Sequence, residues 1–171
     1  MKKLITILFY LSLFSFAHAE NKIAYLDMAL IMNKSDAGTS INKQIKTLEK
    51  KLSDEINKKE DAFKKEKQSL LAQKNVLEKT QFEKKILEFN AKLNDHQKKK
   101  NKEINDLGKK RLEASQKFLN EVTKILAEYS AKNSLSMIIQ KKNIVIGKKE
   151  FEITEDILKA VNQKVKKIKI N

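Results

Sequence analysis

The spacing of apolar residues along this chain changes twice. Residues 22–27, KIAYLD, alternate with a period of two, with Ile23 and Tyr25 on one face and Ala24 and Leu26 on the other. Both faces are apolar, which predicts a strand buried on both sides. A short helical turn, MALIMN, follows, and Ser35, Asp36 and Gly38 mark a break. From about Thr39 the spacing becomes three and four: Ile41, Ile45, Leu48 and Leu52, then Ile56, Phe63, Leu70 and Leu77 seven apart. This predicts an amphipathic helix with a stripe of about one apolar residue per two turns, too thin for burial in a globular core.

The stripe breaks around residues 75–80, where Thr80 and Glu83 have the spacing of a capping box. Phe82, Ile86, Phe89, Leu93, Ile104, Leu107, Leu112, Phe118, Val122, Ile125 and Tyr129 then predict a second long helix. Folding the two helices back about residues 77–79 sets Leu70 beside Ile86, Phe63 beside Leu93, Leu52 beside Ile104, Leu48 beside Leu107 and Ile45 beside Leu112. An antiparallel hairpin uses both stripes at once. Its first arm, 41–77, would be ~55 Å long at ~1.5 Å per residue. The middle of the arm is poorly sealed, with Ile56 facing Lys100. Gly108 falls inside the returning helix, where Gly costs ~1 kcal/mol against Ala; it reads either as a flexible joint or as tolerated drift.

Period-two runs return at 136–140 and 143–146 in SMIIQKKNIVIGK, with Lys141-Lys142-Asn143 as a tight turn between them. Thr154, Glu155 and Asp156 open a short terminal helix with Ile157, Leu158, Val161 and Val165 on its apolar face, and KVKKIKIN forms a basic, fraying tail. A lone strand leaves its ladder groups unpaired. The strand at 22–27 is therefore expected to pair with the strands at 136–146. The fold class is α+β: a long antiparallel, coiled-coil-like helical hairpin, 39–129, projecting from a small β body made of 20–38 and 130–171. Ile23, Tyr25, Met137, Ile139, Val145 and Ile146 are expected to form the body core and an oligomer contact. Phe63, Leu70, Phe82, Ile86, Phe89 and Leu93 either seal the hairpin seam or offer apolar contact to a bound partner, sealing being preferred.

Composition adds a location and removes several chemistries. MKKLITILFYLSLFSFAHA begins with Lys2 and Lys3, continues apolar from Leu4 to Phe16 and ends in an A-x-A signal, so it reads as a secretory leader, residues 1–19, cleaved after Ala19. The apolar run is short for a membrane span, and no later stretch could cross a bilayer. The expected product is an exported, soluble chain. It has no Cys, so packing or oligomerisation must hold the fold. The formal net charge is +15, two units of it from Lys2 and Lys3, and Arg111 is the sole Arg. Arg is the favoured reader of bases and phosphates, so specific nucleic-acid recognition is not expected. Diffuse Lys charge suits loose attraction to anionic surfaces or acidic partners.

Enzymatic readings fail on the residues available. His96 is the one His after the leader and is expected to be an exposed helix residue. It cannot build a metal cluster or a triad alone. The three glycines stand far apart, so there is no phosphate-cradling loop. No cofactor is expected.

Three pieces together suggest a family: KIAYLDMALIMNKSDAG at the front, the charged hairpin, and a close of ILAEYSAKNSLSMIIQKKNIVIG followed by EITEDILKAVN. They resemble the Skp family of periplasmic chaperones, also called the OmpH family, over essentially the whole chain after the leader. The ending is similar to that family's D-I-T-[DE]-x-[IV]-L-x-A-[LV]-N, with Glu152 in place of Asp. The segment after IVIG departs from the family, being short and basic (KKEF) where members often carry a longer Asp/Ala/Ser-rich turn. The resemblance implies a homotrimer whose strands form a barrel-like body and whose helical arms enclose a cavity. There, without ATP, unfolded outer-membrane β-barrel proteins would be held in the periplasm. Binding of anionic lipid or lipopolysaccharide is a further partner class, with no residue motif here to carry it over. Two other readings stand beside it: a structural coiled-coil protein of the envelope, and a polybasic binder of anionic lipid.

Overall fold

The computed structural model describes residues 22–165 and 167–170, so the expected leader, residues 1–19, lies outside the described residues. Strand β1, Lys22–Leu26, ends at Asp27, whose carboxylate accepts a hydrogen bond from the Leu30 N–H at 2.9 Å and caps helix α1, Met28–Lys34. The break after α1 is a single residue. Ser35 turns extended (ψ 153°), and its Oγ accepts from the Gly38 N–H at 3.1 Å, capping helix α2, Asp36–Ala72. Gly38 thus lies in the first turn of α2, not in a loop. A Cβ there would stand 1.9 Å from the Met32 carbonyl oxygen. Only Gly lets α1 and α2 approach this closely. Gly38→Ala is expected to destabilise the chain by about 3 kcal/mol, the upper range for forced overpacking. Urea unfolding measures this, and an unchanged midpoint would show that the α1–α2 approach is not tight in solution.

The reversal occupies residues 73–78, and helix α3 runs without a break from Lys79 to Asn133. The expected capping box is not used: Glu78 is the N-cap, without a side-chain bond, and Thr80 sits inside the helix. Ser134, in the left-handed region at φ 53°, ends α3. Strand β2, Leu135–Gln140, follows, then single 3-10 turns at Lys141–Asn143 and Lys149–Phe151, and helix α4, Thr154–Lys164. The expected second strand at 143–146 does not form. Asn143 closes a 3-10 turn and the chain then runs irregularly, so Lys141-Lys142-Asn143 is no hairpin turn.

β1 and β2 pair in parallel, with Ile23 opposite Met137, Ala24 opposite Ile138, Tyr25 opposite Ile139 and Leu26 opposite Gln140. Parallel neighbours cannot be joined by a tight turn and need a long crossover. The α2–α3 hairpin lies within that crossover, which is far longer than the dozen or so residues the pairing alone requires. The other edge of β1 is met by Glu152, and the Ile153 N–H donates to the Tyr25 carbonyl at 2.9 Å.

One core serves both body and arm root. Ala24, Leu26 and Ile31 pack with Ile41 and Ile45 of α2, with Ala114, Phe118, Val122 and Ile125 of α3, and with Ile153, Ile157 and Val161. It therefore spans the expected boundaries at 39 and 129. α3 is much longer than α2, and its excess length, through Tyr129, carries α4, while α1 rests on α2 and α4. Tyr129 donates to Asp156 Oδ2 at 3.0 Å, and burial followed by that bond pushes the phenol pKa up. The tail does not fray at Lys167–Ile170: Ile168 and Ile170 are half-buried against the same core.

Candidate functional site

The sheet buries one face only. Ala24, Leu26 and Ile138 turn to the core, whereas Ile23, Tyr25, Met137 and Ile139 share the outer face. Tyr25 is covered there, because the Gly147 backbone lies against its ring so closely that a Cβ would come within 2.9 Å of Cε1. Ile139 is half-buried. Ile23 is 46% exposed, Met137 54%, Val145 99% and Ile146 92%. Of the six residues expected in the body core and oligomer contact, Tyr25 alone is fully covered in the single chain, and the other named positions leave an apolar outer surface. Val145 and Ile146 are uncovered because the segment carrying them joins no strand.

The arm is sealed unevenly. At the tip half, Phe63 meets Phe89 edge to face, with ring centroids 6.1 Å apart, and meets the His96 ring, tilted, at 5.2 Å. Phe89 and Leu70 are buried, and Phe63, Phe82, Ile86 and Leu93 half-buried. None of the six expected seam residues is exposed in the single chain. His96 is not the exposed residue expected; it is half-buried in the seam, and its Nε2 is buried with no hydrogen-bond partner. Towards the root the pairing drifts. Leu107 lies with Leu48 and Leu52, and the buried position on α3 is Ala114. Ile104 and Leu112, expected in the seam, are 47% and 69% exposed. Counting large apolar residues misses Ala114, whose small side chain is what lets the helices close on each other.

Between Ile45 and Leu70 on α2, and between Phe89 and Ala114 on α3, no side chain is fully buried. Ions and half-buried residues bridge the gap. Lys92 meets Glu66 at 2.7 Å, Lys100 meets Glu60 at 2.7 Å and Arg111 meets Glu49 at 2.8 Å. Lys100 therefore answers Glu60 rather than facing Ile56 unpaired. On either side of the Leu52–Leu107 contact runs an open groove. One, of about 440 Å³, is lined by Ile56, Ile104, Gly108 and Arg111 among others; the other, of about 360 Å³, by Lys51, Glu55, Asp106 and Lys110.

A family model described as outer membrane protein (OmpH-like) matches residues 22–161. The chain belongs to the OmpH-like family. A crystal structure from Caulobacter crescentus CB15, described as an outer membrane chaperone (OmpH-like), superposes with a TM-score of 0.81, covering 88% of this chain and 89% of that one at 15% identity. At that identity the likeness speaks for the fold. No curated protein matches the chain. No helix among the described residues is long and apolar enough to cross a membrane.

Two carboxylates of this OmpH-like chain are shifted by lysines. The hydrogen bond from Lys100, then its charge, holds Glu60 below the ordinary carboxylate value, and the Lys141 hydrogen bond does the same for Glu152 beside β1. A depressed folded pKa contributes stability that is present above the unfolded value and lost as pH falls through the folded one. Glu60→Gln is therefore expected to lower the melting temperature slightly at neutral pH, with the gap to wild type closing below about pH 4. A gap that persists unchanged into acid would show that Glu60 acts by packing and not by charge. Gly108, whose Cβ would meet nothing within 4 Å, is not a joint imposed by crowding, since α3 passes through it unbroken. Gly108→Ala is expected to raise stability by about 0.5–1 kcal/mol, read from the urea midpoint; a loss would mean that α3 bends there in solution.

Proposed function

We propose that the chain is an ATP-independent periplasmic holdase. It assembles through the outer sheet face and holds unfolded outer-membrane proteins between its arms. The supporting observation is the arm itself: a long hairpin whose middle buries no side chain fully and is flanked on both sides by grooves with charged rims. A folded-protein partner would call for a continuous, shape-matched surface. An unfolded chain is better served by many shallow apolar contacts of ~25 cal/mol per Å² each, reached through a diffuse positive field over a Debye length of ~8 Å. Client release then needs no energy source, because no single contact is strong. The apolar outer surface of Ile23, Met137, Val145 and Ile146 supports assembly, with the homotrimer as the stoichiometry that family resemblance implies. The leader supports a periplasmic location.

Native mass spectrometry of the chain from residue 20, alone and after dilution of one urea-unfolded outer-membrane β-barrel protein, tests the proposal. The expected masses are three chains and three chains plus one client. A monomer or dimer that leaves the client to aggregate would overturn the reading. A polybasic lipid binder would instead lose its ligand steeply with salt, whereas client holding keeps an apolar, salt-resistant part.

A further inference from the structure

The C-terminal tail sits on the arm root in the manner of a bound peptide. Residues 167–170 alternate: Lys167 and Lys169 are exposed, while Ile168 and Ile170 are half-buried against the core. Between the two isoleucines the tail backbone is read by one side chain. Gln44 Nε2 donates to the Ile168 carbonyl at 2.8 Å, and Gln44 Oε1 accepts from the Ile170 N–H at 3.1 Å. A glutamine amide offers the same donor and acceptor as a peptide unit, so Gln44 does for the tail what a neighbouring strand would do. The contact reads backbone and two alternate apolar side chains, and nothing in it demands the tail's own sequence. Ile168 lies in a recess on α3 with Lys117 and Lys124, the latter paired with Glu121, while the tail's intervening residues are themselves lysines.

We propose that the root of the arm carries a binding groove for extended segments with apolar residues at alternate positions, and that the tail fills it as a displaceable occupant. Membrane β-barrel strands carry that alternation over their whole length. A segment with acidic or neutral residues between its apolar ones would suit Lys117 and Lys124 better than Lys167 and Lys169 do. The proposal rests on the holdase reading for its client but names a site on each single chain, at its root and apart from the cavity between arms.

The test uses two fluorescent ten-residue peptides, one of alternating valine and aspartate and one with the same residues in two blocks. Binding is followed by anisotropy. The proteins are the wild type, a chain ended at Val165, the full chain with Ile168→Asp and Ile170→Asp, and that double variant with Gln44→Ala added. A tail docked nine-tenths of the time weakens apparent affinity about tenfold. Both tail variants are therefore expected to bind the alternating peptide about tenfold more tightly than wild type, Gln44→Ala to reverse the gain, and the block peptide to bind none of them. Unchanged affinity in the tail variants, or equal binding of the block peptide, would overturn the groove. So would loss of helical circular dichroism in both tail variants, which would make the tail part of the fold. Suppression of aggregation of an unfolded barrel protein, measured alongside, separates the two readings. Suppression without any effect of the tail sinks the groove and leaves the holdase standing; peptide binding without suppression does the reverse.

Discussion

Aspartate at both Ile23 and Met137 is expected to leave each chain folded and to abolish both its assembly and its capture of unfolded protein. The two residues face each other across the β1–β2 register and are about half exposed in the single chain. A carboxylate there stays solvated in the monomer and costs the protomer little. In an assembly that covers the outer sheet face, each chain would bury two unpaired carboxylates, at a cost on the order of several kcal/mol per chain. That is enough to weaken association by at least about a hundredfold. Native mass spectrometry should show single chains, and circular dichroism an unchanged helix signal. A double variant that still assembles would place the interface elsewhere, with Val145 and Ile146 the next surface to test. A double variant that dissociates yet still protects its client would show that one arm suffices.

Phe118→Ala is expected to have the largest effect on folding. Phe118 is 1% exposed and belongs to the cluster in which Ile41 and Ile45 of α2 meet Val122 of α3 and Ile157 of α4. Truncating such a side chain removes its transfer energy and leaves a cavity, about 3–5 kcal/mol in total. That is a large part of the roughly 5–15 kcal/mol that holds an ordinary domain. The measurement is the urea midpoint, with Phe63→Ala as comparison. Phe63 is half-buried in a seam that already has open grooves towards the root, so its loss should cost clearly less. Equal costs at the two sites would mean that the arm is as tightly packed in solution as the root.

The contrast between these substitutions follows from where the core lies. Packing is concentrated where the body meets the first turns of α2 and the last of α3, and it thins along the arm. Under the proposed holdase reading, such an arm would yield around clients of different sizes while the body stays fixed. Gly38, Ser35 and Asp27 hold the body end through backbone geometry and caps, with side chains too small to add apolar area.

The two helices, the strand at 22–27, the strand near 136–140, the terminal helix and the family were all legible along the chain. Each rests on spacing within one segment, and the periods of 3.6 and 2 arise from the backbone itself. Tertiary structure decided what those segments do to one another. Parallel pairing of β1 with β2, the single covered sheet face and the loss of the run at 143–146 as a strand depend on which neighbours reach each segment. A short apolar run carries no record of that. The seam near the root kept the expected Leu107 but took Ala114 instead of Ile104 and Leu112, because close approach of two helices selects a small residue that hydrophobic counting passes over. His96 entered the seam because the opposing helix supplied Phe63, and Lys100 paired with Glu60 across its exposed edge, where a charged helical sequence read alone presents only solvated surface. The tail did carry a signal, the alternation of Ile168 and Ile170 with lysines. Its docking needed Gln44, more than a hundred residues away in sequence, and only the folded chain brings the two together.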